Sequence, residues 1–456
     1  MTNSRPLRVA VIGAGPAGIY ASDLLMKSGL EVAVDLFERM PTPFGLIRYG
    51  VAPDHPRIKG IVKSLHAVME KPQLRFIGNI DIGKTVSVAE LKEFYDALIF
   101  STGAVADRDL DIPGQDLEGS HGAAEFVGFY DGNPEFARDW DLSAQQVGVI
   151  GVGNVGLDVA RILAKTGEEL HVTEIPDNVY EALKSNKATE VHVFGRRGPA
   201  QAKFTPLELK ELDHSPTIEV VVDPEDIDYD AASEKARRES KSQDLVCQTL
   251  EQYAMREPKN APHKLFIHFF ESPVEIIGDD GKVVGLKTER TQLDGSGNVV
   301  GTGTFKVWPM QAVYRAVGYR SDAVADIPFD HDKAVIPNDG GHILDAHNQP
   351  IPGLYATGWI KRGPVGLIGN TKSDAKETTQ MLLSDWKAGQ LAPTQKPELH
   401  HIIEFLEAKG LTYTTWDGWH RVDAAERELG EKEGRERKKI VEWDDMVSHA
   451  RFDAQS

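Results

Sequence analysis

Cysteine is almost absent from this chain: Cys247 is the only one among 456 residues. An intrachain disulfide, a redox-active C-x-x-C pair and a four-cysteine iron–sulfur cluster are therefore excluded. Long apolar runs are also missing, and none approaches the roughly eighteen residues of a membrane span. The N-terminus shows no apolar signal segment before a strand-like run begins near Arg8. The expectation is a cytoplasmic protein with no membrane insertion. Positive charge is in deficit: 51 Lys and Arg face 70 Asp and Glu, a formal net charge of −19. That balance argues against nucleic acid as a partner. The histidines lack a metal-ligand set, so no metal site is expected. The rest, 41% hydrophobic and 27% charged, suits a globular chain of two or three domains.

The feature that organises the chain is a glycine fingerprint. Residues 8–12 form a short apolar run that breaks into Gly13-x-Gly15-x-x-Gly18, and residues 19–26 have the composition of a helix. The first glycine permits a tight turn, the second lets a pyrophosphate approach the backbone, and the third brings helix and strand close. The helix N-terminus adds free N–H groups and partial positive charge. A second apolar run, 32–37, ends in Glu38, an acid placed to accept ribose hydroxyls. Strand, glycines, helix, strand and acid in that order indicate a dinucleotide site.

The pattern recurs. Residues 147–150 lead into Gly151-x-Gly153-x-x-Gly156, and 157–164 continue as a helix. The next strand, 191–194, ends in Gly195-Arg196-Arg197 instead of an acid. An arginine pair suits a 2′-phosphate, which a carboxylate would repel. Two folds, one closing on Glu and one on Arg-Arg, suggest FAD and NADPH respectively. The fold class is thus α/β with two Rossmann-like dinucleotide-binding domains. A loop at 111–114 offers a natural exit from the first domain, and Gly318-Tyr319-Arg320 a return. Thr205 and Glu208 read as the two ends of a capping box, with Glu211 one turn on. Residues 353–359 repeat the strand-then-Thr-Gly exit of 97–103, and a helix is expected over 374–387. The mixed charges of 223–256 read as exposed helix and loop, and those of 426–439 as solvent-exposed helix.

Four stretches are specific beyond these general patterns: PTPFGLIRYGVAPDH (41–55), GVGNVGLDVAR (151–161), GRRGPAQAKFTPLE (195–208) and ATGWIKRGPVGLIG (356–369). With the order of motifs along nearly the whole chain, they resemble adrenodoxin reductase and the bacterial NADPH–ferredoxin reductases similar to it. The resemblance implies a discontinuous FAD-binding domain (1–106 and 320–456, with a C-terminal extension) and an inserted NADP-binding domain (107–319). Carried over residue by residue, it places FAD contacts at Gly13, Ala17, Glu38, Leu46 and Trp359, with Ile82 on a looser local match. Gly366, Leu367 and Ile368 fall where backbone meets the flavin, Gly366 also beside the nicotinamide. Asn154, Val155, Gly156 and Leu157 match the NADPH pyrophosphate loop, Arg196 and Arg197 the 2′-phosphate clamp, and Arg108 and Glu208 further NADPH contacts. The chain departs from the family at Gly156, where Ala is commonest, and at Lys203 and Pro206, which leave Glu208 in register.

The implied reaction passes a hydride from NADPH to FAD and then single electrons to a ferredoxin or similar small iron–sulfur protein. His55 and Glu211 are candidate catalytic residues, a polar pair that would manage protons near the flavin, although each also has a plain structural reading. Arg48, Arg57, Lys59, Lys63, Lys203, Lys210, Arg237 and Arg238 offer a local basic patch for an acidic partner despite the global charge. The single cysteine excludes the disulfide reductases that share two nucleotide folds. An NADPH-dependent quinone reductase or diaphorase, a monooxygenase and a non-catalytic nucleotide sensor share the motifs. The oligomeric state is not legible in the sequence.

Overall fold

The computed structural model describes residues 5–55, 60–366 and 368–451. Two compact units divide the chain. The first draws on Met1–Val51, His55–Ala106 and Tyr319–Ser456, and the second on Ala52–Asp54 and Asp107–Gly318.

The first unit is built on a seven-stranded sheet in the order Asn338–Asp339, His342–Leu344, Pro350–Ala356, Ala97–Phe100, Leu7–Ile12, Val32–Phe37, Leu74–Ile77. The last five run parallel, and the first two are an antiparallel edge. Leu7–Ile12 is buried at every position. Leu7, Val9 and Val11 face one core with Ile19 and Leu25, while Ala10 and Ile12 face another with Phe37 and Phe100. Burial on both faces is why the strand reads as an unbroken apolar run and not as an alternation. Asp35 interrupts the neighbouring strand at 1% exposure. It is matched by Arg8 (2.8 Å), Arg75 (2.8 Å) and the Tyr95 hydroxyl (2.7 Å). Burial, with Asp35 adding to it, pushes the Tyr95 phenol well above its usual value.

The second unit carries a six-stranded sheet in the order Ser120–Gly122, Ala312–Arg315, Gln146–Ile150, Glu190–Phe194, His263–His268, Ile218–Val222. Every pairing in it is parallel. Glu271–Asp279, Lys282–Leu293 and Val299–Pro309 add an antiparallel three-stranded sheet. In both units the fingerprint strand has parallel neighbours on its two sides, so its C-terminal end opens at a topological switch point.

Helices start earlier than composition indicates. Pro16–Met26 and Asn154–Ala164 begin directly after the middle glycine of each fingerprint, because Gly15 and Gly153 are themselves the extended N-cap residues. Ile368–Ala388 likewise begins ahead of 374, and it packs against Pro16–Met26. The charged stretches differ more. Residues 223–256 form Ala231–Glu239 and Lys241–Met255, which bury Val246, Cys247, Leu250 and Tyr253. The 426–439 stretch is not solvent-exposed helix throughout: Glu426 is 0%, Arg435 7% and Lys439 4% exposed. Charge there is paired inside the unit, which a sequence of mixed signs does not reveal.

His192 and His268, on adjacent strands, share a 3.0 Å Nδ1–Nε2 hydrogen bond and pack with Phe194, Phe266 and Trp308. Burial, with His192 and the cations Lys306 and Arg290, holds His268 down at about 3. Because the unfolded chain binds this proton more readily, the contribution is complete above about pH 6.5 and is lost as pH falls towards 3. His268→Gln is therefore expected to flatten the acid limb of thermal stability between about pH 6.5 and 4, followed by circular dichroism. Parallel limbs for the two proteins would count against this pair as an acid-sensitive element.

Candidate functional site

The fingerprint of the first unit is a place where backbones touch. Gly13, at φ 108°, donates its N–H to the Phe37 carbonyl (2.8 Å), and Ser101 donates its hydroxyl to the Ile12 and Gly13 carbonyls (3.0 and 2.9 Å). A Cβ on Gly13 would lie 2.5 Å from the Ser101 carbonyl oxygen, and one on Gly18 2.0 Å from that of Gly13. A Cβ on Gly15 would meet nothing within 4 Å. The helix after it carries no side-chain cap and no acid in its first turn. A pyrophosphate fits there, over open backbone and uncapped N–H groups. Glu38 is 8% exposed and is oriented by the Ala14 (2.8 Å) and Met40 (3.1 Å) N–H groups, at the mouth of the same loop. Half-buried Leu46 follows Gly45, where a Cβ would stand 3.1 Å from Gly15 Cα. Ile82 is buried at 6%.

The returning chain completes this region. Gly358, at φ 75°, sits so close to Ala17 that an added Cβ would be 2.7 Å from the alanine methyl. Its N–H and the Thr357 hydroxyl both donate to Asp374 (2.5 and 2.9 Å), and Lys361 pairs with the same carboxylate (3.1 Å). That locks the turn from which half-buried Trp359 projects, its ring centroid 6.3 Å from that of Tyr319. Gly366 takes φ 89° beside Arg362 and Asn370, two of the residues lining an open cavity of about 420 Å³. Leu367 lies outside the described residues, and Ile368 is described only as the first residue of its helix.

The second unit repeats the construction. Gly151 is at φ 131°, where a Cβ would lie 2.2 Å from the Ala316 carbonyl oxygen. A Cβ on Gly156 would lie 2.3 Å from the Gly151 carbonyl oxygen, whereas one on Gly153 would meet nothing within 4 Å. Asn154 and Val155 are half-buried and open the helix, and Leu157 is wholly buried. The Asn154 side chain accepts the Thr205 N–H (2.8 Å), tying the fingerprint to the cap of Pro206–Glu211. Lys203 donates its N–H to the Val152 carbonyl (2.8 Å) and leaves its side chain exposed. Arg196 and Arg197 follow the second strand, and among the described residues neither guanidinium has a hydrogen bond or ion pair. Their carbonyls are held by Thr291 (2.7 Å) and by the Phe270 N–H (3.2 Å). Unpaired cations on fixed backbone, in a chain of net charge −19, are what a phosphate dianion requires.

Other expected residues stand as follows. Arg108 is exposed, its N–H donating to the Gly318 carbonyl (3.0 Å). Glu208 is 3% exposed, with its N–H on Thr205 Oγ1 (3.3 Å) and its carboxylate 4.0 Å from Arg161. His55 is buried in the first unit, and Glu211 pairs with exposed His214 (3.0 Å) in the second. Of the basic patch, Arg48 is unavailable: it is 6% exposed and bound to Glu426. Arg237 is likewise engaged by Asp244 (3.0 Å) and Glu251 (2.9 Å). Lys63, Lys203, Lys210 and Arg238 are exposed, and Arg57 and Lys59 lie outside the described residues. Sequence reasoning missed Ser101 and Asp374, which fix the glycine turns. It also missed Asp54, which with Asp158 clasps Arg161 (2.8 and 2.9 Å). Burial pulls the Arg161 guanidinium down, but these two carboxylates more than reverse it and hold it above its usual range. Asp54 lies 107 residues from its partner, so no local signal marks it.

The sequence matches the family described as pyridine nucleotide-disulphide oxidoreductase over residues 7–193. It is 41% identical over 457 residues to NADPH-ferredoxin reductase FprA of Mycobacterium tuberculosis (strain ATCC 25618 / H37Rv), covering 97% of this chain and 99% of that protein. It is 35% identical over 462 residues to the mitochondrial NADPH:adrenodoxin oxidoreductase of Bos taurus, covering 98% and 92%. The solved structure of Mycobacterium tuberculosis FprA in complex with NADPH superposes with a TM-score of 0.89 at 39% identity, covering 98% of this chain and 100% of that one.

The contrast among the glycines sets a test. Gly13→Ala is expected to destabilise the fold by several kcal/mol through clash and backbone strain. Gly15→Ala should leave stability within about 1 kcal/mol while abolishing retention of the dinucleotide, read by thermal unfolding and by cofactor content. Equal loss of stability in both variants would remove the assignment of the open position to a pyrophosphate.

Proposed function

The chain belongs to the family of NADPH–ferredoxin reductases of the adrenodoxin reductase type, and from that membership we propose the following reading of its sites. It is an FAD-dependent oxidoreductase that draws electrons from NADPH and delivers them to a ferredoxin-type iron–sulfur protein. Bound FAD supplies the chemistry that no side chain here can, exchanging an electron pair on one side and single electrons on the other. The chain's own part is to bind, orient and select. Gly13, Gly15, Ala17 and Gly18 receive the FAD pyrophosphate, Glu38 its ribose, and Leu46, Ile82, Trp359 and Gly366–Ile368 the flavin end. In the second unit Asn154–Leu157 take the NADPH pyrophosphate, with Arg108 and Glu208 as further contacts. Arg196 and Arg197 take the 2′-phosphate, and their lack of a carboxylate partner among the described residues is the observation that carries this reading.

The proposal assigns FAD to 1–106 with 320–456 and NADP to 107–319, and sets the reaction in the cytoplasm. The buried, solitary Cys247 leaves no dithiol for the disulfide step named in the broader family description. For the protein acceptor, exposed Lys63, Lys203, Lys210 and Arg238 support an acidic partner.

Anaerobic mixing tests the reading directly. NADPH should bleach the yellow holoenzyme, and a ferredoxin should reoxidise it at a rate that falls with ionic strength. Activity with quinones or dyes but with no iron–sulfur acceptor would favour a diaphorase instead. Replacing Arg196 and Arg197 by Ala should raise the Kd for NADPH at least tenfold, about 1.4 kcal/mol, and leave that for NADH unchanged. His55 and Glu211 stay in the proposal as proton-handling residues. His55→Gln and Glu211→Gln are expected to alter the pH profile of flavin reduction, and an unaltered profile in both removes them.

A further inference from the structure

The C-terminal segment packs against a loop that the proposed function places at the flavin. Residues 41–50 run back over the first fingerprint: the Phe44 N–H donates to the Ala14 carbonyl (2.9 Å), and Gly45 abuts Gly15. This conformation is not one the loop would choose alone. Phe44, a bulky residue, sits at φ 84°, and Gly45 follows at φ 50°. Such backbone persists only where the surroundings over-determine it.

Those surroundings are supplied largely from residues 414–446. Thr414 Oγ1 donates to the Pro41 carbonyl (2.8 Å). The Phe44 ring, 2% exposed, meets Trp419 and Trp416 edge-on at 5.6 and 6.2 Å, with His66 stacked on it at 5.1 Å. Arg48 donates two parallel hydrogen bonds to Glu426 (3.0 and 2.5 Å), and Lys439 Nζ donates to the Arg48 carbonyl (2.6 Å). Tyr49 donates its hydroxyl to Met446 Sδ (3.5 Å). The Glu426 carboxylate is wholly buried and is further held by the Ile440 N–H (3.0 Å) and Arg437 (3.3 Å). A buried fork-to-fork pair contributes little net stability compared with an apolar pair of the same size, but it does fix orientation.

We propose that residues 414–446 are the template of the flavin-binding loop, with Glu426 as its central positioning residue acting through Arg48. The segment then sets how tightly FAD is held without touching it. The inference rests on the assignment of FAD to the first unit.

The test compares FAD release from the holoenzyme, followed by flavin fluorescence on dilution, with thermal unfolding at saturating FAD. Glu426→Gln keeps the shape and loses the charge. The double variant Arg48→Met/Glu426→Leu fills the same volume and removes the fork. Both are expected to release FAD at least about tenfold faster. The double variant should also keep the parent's NADP⁺ affinity, and its stability at saturating FAD should fall by no more than the loss of FAD affinity itself removes, about 1.4 kcal/mol for a tenfold change. Arg427→Ala, an exposed position on the helix Trp416–Glu431 that carries Glu426, should leave release unchanged. A double variant that keeps FAD as the parent does would overturn the proposal, even if Glu426→Gln fails to fold. A parent protein that binds no FAD would instead sink the cofactor assignment itself.

Discussion

The absence of a Cβ at four positions is the constraint on which both sites depend. At Gly13 and Gly151 the strand end passes so near the end of the neighbouring parallel strand that a methyl would lie 2.5 and 2.2 Å from the carbonyl oxygens of Ser101 and Ala316. At Gly18 and Gly156 the following helix presses on the first glycine's own carbonyl, leaving 2.0 and 2.3 Å. The chain is thereby forced to turn within its own backbone, and the middle glycine is left facing open space. An anion can reach main-chain N–H groups only because these side chains are missing.

Given two such cradles, a few charges specialise them. Glu38 is itself satisfied by two backbone N–H groups, so it stands as a fixed acceptor beside the first loop. Arg196 and Arg197 occupy the equivalent strand end in the second unit with no carboxylate partner among the described residues. A phosphate dianion would be repelled by the first arrangement and bound by the second. The uneven use of positive charge across the chain is informative here. Arg8, Arg48, Arg161 and Arg237 are consumed by internal carboxylates, so two of the basic residues named for a partner patch, Arg48 and Arg237, are not available to it.

Legibility followed the range of the interactions. The strands 32–37 and 97–100 were readable because each is a short apolar run bounded by turn residues, and the structure has them at those positions. Both fingerprints were readable because strand, turn and helix are consecutive. The C-terminal region was not. Its mixed charges look solvated in sequence, yet Glu426 reaches Arg48 across 378 residues and both are buried. Ser101 and Asp374 escaped for the same reason, as a serine and an aspartate become significant only once the turns they brace are adjacent.

The amino-acid sequence by itself determined the α/β class, the two nucleotide folds, the acid-versus-arginine distinction between them and the exclusion of cysteine chemistry. These rest on spacing and residue type within a few turns of chain, where geometry is local and repeatable. Only the tertiary structure decided which charges are free. It paired Arg48 with Glu426 and Arg161 with Asp54, and among the described residues it left Arg196 and Arg197 open. Desolvation and ion pairing depend on what packs around a side chain, and that is settled by segments hundreds of residues apart.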